Sequence, residues 1–234
     1  MCSSLKKPVA ARNYELTLFA QAVNWKRYWS KLISKYLNGA VAEVGAGIGT
    51  NAPFFLIEGV KELVLIEPDE QLFSLLNAPK YPEHVRCVQG TLEASCRDFD
   101  TIVYIDVLEH IEDDLLETSR AYEHLTKGGH LVILSPAWPF LYSPFDEAVG
   151  HYRRYTRASL RASVDSRLET ISERYLDSVG LLASLANKLF LRASAPSDTQ
   201  ISVWDRVMVR ASRALDLFFL HTVGKTIVGI YRKP

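Results

Sequence analysis

The sequence has few cysteines, no excess of either charge and no long apolar run. Only Cys2, Cys87 and Cys96 are present, without a C-x-x-C pair, so we expect a reducing compartment and neither disulfides nor structural zinc. Basic and acidic residues both number 27, which argues against the basic excess typical of nucleic-acid binding. No apolar run reaches the roughly 18 residues of a transmembrane helix, and no apolar core follows the basic N-terminus. These absences predict a soluble, cytoplasmic protein.

Short β-branched runs alternate with helical stretches in the middle of the chain. Strands are predicted at 40–44, 63–67, 84–89, 100–106 and 130–135, with helices at 51–58, 69–76 and 112–126. This alternation is typical of a parallel sheet covered by helices on both faces. The predicted fold class is therefore doubly wound α/β, and 234 residues fit one such domain.

Helical and strand patterns also occupy both ends of the chain. Apolar residues at helical spacing from 12 to 37 predict an N-terminal helical lead within residues 1–39, before a core at 40–155. In the remaining part, 156–234, Thr156 is predicted to cap a helix that runs to Val164. Strands are predicted at 168–176 and 225–231, with an apolar helical cover at 176–220 that contains the segments 180–191 and 201–220.

The segment 201–220 is predicted to form an amphipathic helix. Its polar side would carry Asp205, Arg206, Arg210 and Arg213. Its apolar face would contain Trp204, Val207, Met208, Ala211, Leu215, Phe218 and Phe219. We favour packing of this face on the sheet or over the site, and contact with a membrane surface is the less favoured alternative.

A glycine-rich turn, VAEVGAGIGT at 41–50, connects a predicted strand to a helix. Its glycines have the spacing G-x-G-x-G rather than the G-x-G-x-x-G of dinucleotide sites, and no G-K-[ST] follows as in a P-loop. The next strand ends at Glu67, whose carboxylate can accept hydrogen bonds from two ribose hydroxyls, while Pro68 offers an apolar surface to an adenine. The pattern predicts an adenosine-containing ligand.

Four motifs occur in the order EVGAGIG, IEPD, DTIVYIDVLEHIEDD and LTKGGHLVILSPA. Together they resemble the class I S-adenosylmethionine-dependent methyltransferases over residues 40–136. The resemblance implies S-adenosyl-L-methionine as cofactor and a Rossmann-like sheet of seven strands, the last antiparallel and inserted beside the sixth. The longer stretch LYSPFDEAVGHYRRYT resembles a bacterial subgroup that acts on small molecules such as sugars, lipid-linked intermediates or secondary metabolites.

The resemblance assigns one set of residues to the cofactor. These residues are Glu43, Gly45, Ala46, Gly47, Gly49, Asn51, Glu67, Pro68, Thr91, Leu92, Asp106 and Val107. Glu43 and the glycine turn would hold the methionine end, and Glu67 would hold the ribose. Thr91 and Leu92 would flank the adenine, while Asp106 and Val107 would lie near the sulfonium. Many relatives have an aspartate at the position of Thr91, so the adenine amino group is expected to be held differently here.

The stretch GHYRRYT at 150–156 lies in the long connection after the fifth predicted strand. Because loops at the carboxyl edge of a parallel sheet surround the ligand, we expect this stretch to form a wall of the acceptor pocket. His151 is the first candidate for the general base and His110 the second. The candidates for acceptor binding are Tyr142, Tyr152, Arg153, Arg154 and Tyr155. As structural alternatives, Arg154 would pair with Asp146 and pin the loop, and His151 would only make a structural hydrogen bond.

The cluster Glu109, His110, Glu112, Asp113 and Asp114 has the side chains of a metal site. Acids also stabilise the positive end of a helix at its first turn, and this explanation is preferred. The sequence therefore predicts no metal.

These patterns predict a methyltransferase that acts on a small molecule, with O-methylation and a histidine base, as a monomer or homodimer. One alternative is a non-catalytic cofactor-binding module that recruits a partner through 201–220. Another is an RNA or protein methyltransferase, against which stand the zero net charge and the absence of an Asn/Asp-Pro-Pro-aromatic motif after the fourth strand.

Overall fold

The computed structural model describes residues 16–79, 81–188 and 197–234. At its centre lies a seven-stranded sheet in the order β3-β2-β1-β4-β5-β7-β6. The strands are β1 (Gly39–Val44), β2 (Val60–Glu67), β3 (Val85–Gln89), β4 (Phe99–Ile105), β5 (Leu125–Pro136), β6 (Glu169–Leu176) and β7 (Thr226–Arg232). Strands β1 to β5 pair in parallel, while β7 lies antiparallel between β5 and β6. The predicted doubly wound, Rossmann-like fold with an inserted last strand is confirmed.

The central strands are buried on both faces, which explains their nearly continuous apolar runs. In β1, Val41 packs into the core on one face and Ala42 into the core on the other. In β4, Val103 and Ile102 divide in the same way. Because both faces are covered, the loops at the carboxyl edge are left as the place where a ligand can reach the sheet.

The helices pack on both sides of the sheet. They are α1 (Val23–Ile33), α2 (Ala52–Phe55), α3 (Glu70–Leu76), α4 (Asp114–Glu123), α5 (Pro144–Val149), α6 (Arg157–Ala162), α7 (Ser178–Ala186), α8 (Asp198–Val203) and α9 (Val209–Phe218). Side chains cap several of them: Asp69 caps α3, Asp113 caps α4 and, as predicted, Thr156 caps α6.

Several helices differ from the predicted bounds. The helix predicted at 51–58 is limited to α2, and the N-terminal lead is interrupted at residues 21–22 between a helical piece at 16–20 and α1. Residues 12–15 of that lead and residues 189–191 of the segment 180–191 lie outside the described residues.

A helical arm, defined here as Asp198–Phe218, consists of α8, a π-helical turn at Trp204–Met208 and α9. Two buried acids attach it to the rest of the protein. Asp205 accepts hydrogen bonds from the backbone N–H of Trp25 at 2.8 Å and of Asn24 at 3.2 Å. Asp216 accepts from the Tyr28 hydroxyl at 2.8 Å and from two backbone N–H groups at the start of α7. The arm is therefore fixed to α1 and α7.

The orientation predicted for this arm is wrong in part. Trp204 is buried as expected, but Asp205, predicted to face solvent, is only 4% exposed. Conversely, Val207 and Phe218, predicted to pack inward, are 62% and 77% exposed. The reason is that the inward face carries the acids that satisfy backbone N–H groups of α1 and α7, which turns much of the apolar stripe outward. Among the described residues, no helix has the length and apolar character needed to cross a membrane.

Candidate active site

A cleft of about 1850 Å³ opens at the carboxyl edge of the parallel strands. Its walls come from α1, the loops after β1 to β5, α7 and the arm. Of the predicted site residues, those that line it are Gly45, Ala46, Gly47, Asn51, Glu67, Pro68, Thr91, Asp106, Val107, His110, Tyr142, His151, Tyr152 and Arg154. The fold therefore brings these residues to one cavity, whereas five others that were predicted do not line it: Glu43, Gly49, Leu92, Arg153 and Tyr155.

The glycine turn needs glycine for its backbone and for its close contacts. Gly45, Gly47 and Gly49 have φ of 73°, 57° and 78°, in the left-handed region. A Cβ on Gly45 would lie 2.7 Å from Val107, and one on Gly49 would lie 2.3 Å from the Tyr81 hydroxyl. The turn is thus packed so closely that only glycine fits.

Glu67 holds this turn from the next strand. One of its carboxylate oxygens accepts from the Gly47 N–H at 2.8 Å, and the other accepts from the Asp69 N–H at 2.9 Å. The remaining acceptor capacity of these oxygens allows further hydrogen bonds from hydroxyl groups in the cleft. Glu67 thus joins the two loops that a ribose would contact.

Glu43 lies near the end of β1, just before the glycine turn, and does not itself line the cleft. It is 1% exposed, and its Oε1 accepts from Asn51 Nδ2 at 2.9 Å. Its Oε2 is buried and has no hydrogen-bond partner among the described residues. Burial raises the pKa of Glu43 to about 8, against the opposing effects of Asn51 and Lys26. A cationic group near Oε2 would satisfy this carboxylate.

Lys26 is a cleft residue that the sequence prediction missed. It lies in α1 and is 6% exposed, and its Nζ donates to the Thr50 hydroxyl at 2.6 Å. Burial lowers the pKa of Lys26 to about 8, although Glu43 and Asp106 favour its charged form. The sequence does contain a signal for Lys26, since it stands among aromatic residues in the stretch VNWKRYW. A lysine that is buried with such residues is expected to have a charged or polar partner.

On the adenine side, Thr91 and Leu92 occupy different environments. Thr91 lines the cleft and donates to the Glu93 carboxylate at 2.5 Å. Leu92 is fully buried in the core and does not line the cleft. Glu93, next to Thr91, also lines the cleft and forms an ion pair with Arg120 at 2.8 Å. An acid therefore lies near the position where many relatives have aspartate.

Asp106 lies at the end of β4, in the middle of the cleft wall. It has a φ of 53°, in the left-handed region, so the chain turns sharply there. Asp106 is exposed to the cleft, where partial desolvation raises its pKa against the opposing charges of Lys225 and Lys26. Val107 follows it and packs on the Gly45 backbone.

His151 is held in the acceptor wall by a carboxylate. Its Nδ1 lies 2.8 Å from Asp146 Oδ1, and its Nε2 lies 4.0 Å from Glu109 Oε1. Although burial opposes ionisation, hydrogen bonds from His151, Arg154 and Ser143 hold the pKa of Asp146 well below its usual range. Because an ionised carboxylate can only accept, the Nδ1 atom of His151 carries a proton, and Nε2 is the ring nitrogen that does not contact Asp146.

The other residues of GHYRRYT have mostly structural contacts. Arg154 donates to both oxygens of Asp146, at 2.7 and 2.9 Å, as the structural alternative predicted. Arg153 pairs with Asp114 at 2.5 Å and does not line the cleft. Tyr155 is buried and donates to the same Asp114 at 2.9 Å. Tyr152 lines the cleft and is 40% exposed, so it is available to an acceptor.

The fold also brings two histidines and an acid together. Glu109, His110 and His151 each offer a metal-ligand atom within 4.8 Å of the others, and the two imidazole rings meet edge-on at 4.6 Å. Of the acids considered with them in the sequence, Asp113 caps α4 and Asp114 pairs with Arg153. The absence of a metal stays a prediction.

The cavity, the glycine turn with acids at two strand ends, and the inserted seventh strand define a Rossmann-like methyltransferase. A family model described as a methyltransferase domain matches residues 22–176, about two thirds of the chain. The protein belongs to this family and is an S-adenosylmethionine-dependent methyltransferase. No curated protein matches the chain in sequence.

Solved structures share the fold at low sequence identity. Geranyl diphosphate methyltransferase in complex with SAM has a TM-score of 0.63 and 15% identity, with 99% of this chain and 94% of that chain covered. An S-adenosylmethionine-dependent methyltransferase from Mesorhizobium loti has a TM-score of 0.59 and 14% identity, with 92% of this chain and 99% of that chain covered. The cyclopropane synthase MmaA2 from Mycobacterium tuberculosis has a TM-score of 0.57 and 13% identity, with 88% of this chain and 83% of that chain covered.

Proposed function

We propose that the protein methylates a hydroxyl group of a small molecule, with His151 as the general base. The observation that carries this proposal is the pairing of Asp146 with Nδ1 of His151 in the wall of the cleft, which orients the ring and leaves Nε2 as the nitrogen that would take the proton. A sugar, a lipid-linked intermediate or a secondary metabolite is the class of acceptor that we favour.

The residues of the cleft fit the cofactor. The buried Glu43 Oε2 would receive the methionine ammonium, and Lys26 would lie near the methionine carboxylate. Glu67 would accept from the ribose hydroxyls, and Glu93 would accept from the adenine amino group, the part that an aspartate at position 91 plays in many relatives. The bound cofactor supplies an electrophilic methyl group on a sulfonium.

The acceptor hydroxyl would lie between the methyl group and His151. As its oxygen attacks the methyl carbon in line, the carbon–sulfur bond breaks and the hydroxyl proton passes to Nε2 of His151. The imidazolium formed in this step lies between Asp146 at 2.8 Å and Glu109 at 4.0 Å. Both acids stabilise its charge, because an acid within a few ångströms favours the protonated ring.

Methyl transfer is tested with S-adenosylmethionine labelled in its methyl group and fractionated extract of the source cells, followed by mass spectrometry. The proposal expects label in a small molecule or glycolipid, at an oxygen. Label only in RNA or protein would contradict it, and so would measurable cofactor binding without transfer to any fraction. That second result would favour the non-catalytic module.

A further inference from the structure

The outer face of the helical arm is apolar. Val203 and Val207 are 51% and 62% exposed, and Leu217 and Phe218 are 66% and 77% exposed. These four side chains are exposed, whereas Val209 and Asp216 of the same arm are buried. Leu220, 80% exposed, continues the surface just beyond the arm. We call this surface the outer stripe; it consists of Val203, Val207, Leu217, Phe218 and Leu220.

Apart from Asp198 at its start, the exposed charges of the arm are positive. Arg206, Arg210 and Arg213 are exposed and lie beside it. The two acids within this part of the chain, Asp205 and Asp216, are 4% and 0% exposed because they bind backbone N–H groups of α1 and α7. Between residues 199 and 224 the exposed surface therefore has three arginines and no acid.

The outer stripe begins at the mouth of the cleft. Val203 belongs both to the stripe and to the cleft lining, and Trp204 and Met208 line the cleft from the inner side of the same helix. A surface that covers the stripe would therefore lie next to the entrance of the site.

We propose that the outer stripe docks on a bilayer that contains anionic lipids, with the arm lying in the plane of the interface. A helix with large apolar side chains and flanking arginines has the composition of an interfacial helix. A second copy of the chain fits less well, because a twofold contact through this face would bring two sets of three arginines together without an acid. Docking there would present a lipid-linked acceptor to the cleft, a consequence that rests on the proposed function.

The proposal is tested by co-sedimentation of the full chain with vesicles of phosphatidylcholine alone or of phosphatidylcholine mixed with the anionic lipid phosphatidylglycerol. The double variant L217S/F218S removes two side chains of the outer stripe. Its matched control, L75S/L115S, removes two leucines that are 53% and 47% exposed on α3 and α4. A third variant, R206Q/R210Q/R213Q, removes the charges. Cofactor affinity is measured for each variant as evidence of folding.

The wild type and L75S/L115S are expected to sediment with the anionic vesicles. L217S/F218S should lose roughly tenfold or more in partition, and each arginine removed should cost about fivefold. Cofactor affinity should stay unchanged, so loss of docking is distinguishable from failure of the methyltransferase site. Equal partition of wild type and L217S/F218S, or no binding to anionic vesicles, would overturn the proposal. A dimer in solution that L217S/F218S abolishes would assign the stripe to a second copy instead.

Discussion

Asp146 and His151 form a buried pair at 2.8 Å in which the carboxylate also binds Arg154 through two hydrogen bonds. Asp146 is fully buried at the start of α5, and Ser143 donates to it as well. One carboxylate thus fixes the imidazole ring, its tautomer and the arginine of the same loop. Its position links the folding of the loop to the chemistry proposed for His151.

Asp146→Asn is expected to lower both stability and turnover. The amide leaves the Arg154 guanidinium without its carboxylate, and breaking such a buried pair costs about 3–5 kcal/mol of unfolding free energy. The amide can also donate to His151, which would favour the other tautomer and lower kcat more than it changes KM. Urea unfolding and steady-state kinetics check both effects. Glu147→Gln, at an exposed neighbouring position, should change neither the free energy of unfolding nor the activation free energy by more than about 0.5 kcal/mol.

Cofactor affinity is expected to rise with pH through Glu43. Since burial raises its pKa to about 8, the free protein must release a proton before this carboxylate can bind an ammonium. From pH 7 to pH 8 the loss of the Glu43 proton should raise the affinity roughly fivefold. The partial loss of the Lys26 proton, whose pKa is also about 8, should lower it by up to about twofold, so a net rise of about threefold is expected. Calorimetric titration at both pH values measures this rise.

Glu43→Gln should bind the cofactor more weakly and lose the rise in affinity with pH, whereas the surface variant Glu58→Gln should keep it.

The raised pKa of Glu43 also predicts how the stability of the free protein changes with pH. The unfolded glutamate ionises near 4.5 and the folded one near 8, so Glu43 makes the free protein less stable as pH rises between these values. A pH-independent affinity in the wild type would contradict the role given to Glu43.

Asp216→Ala is expected to destabilise the arm and its contact with α1. The change leaves the Tyr28 hydroxyl and two backbone N–H groups at the start of α7 without their acceptor. Each unsatisfied buried donor costs about 1–3 kcal/mol, so the free energy of unfolding should fall by at least about 3 kcal/mol. Chemical denaturation measures it, with Asp198→Ala on the exposed start of the arm as control. Equal stability of the two variants would show that Asp216 does not hold the arm.

The sheet was predictable because each buried strand leaves its pattern within the strand itself. The strand predicted at 100–106 is observed at Phe99–Ile105, and the glycine turn follows β1 as expected. Strand β5 begins at Leu125 rather than at residue 130. Gly128 and Gly129, which precede the predicted strand, lie within β5 at an irregularity where the pairing with β4 shifts register. Local patterns identify strands well and their interruptions poorly.

The cleft was predictable where parallel strands bring their following loops to one edge of the sheet, as with Gly45, Glu67 and His151. It was not predictable where contacts join distant parts of the chain. Asp205 binds the backbone of Trp25, 180 residues away, and this contact reverses the exposed face of the arm. Lys26 enters the cleft only because α1 packs against the glycine turn. Such contacts depend on tertiary packing, which periodicity does not report.

The most direct test of the proposed mechanism compares methyl transfer by the wild type, His151→Ala and His110→Ala, with cofactor affinity measured in parallel. Because a general base contributes roughly 100-fold to 10,000-fold, His151→Ala should lose that factor in kcat while its cofactor affinity stays unchanged. His110→Ala, which removes the neighbouring ring, should lose far less. A kcat for His151→Ala within about threefold of the wild type would contradict the account, since the smallest expected effect of a base is far larger.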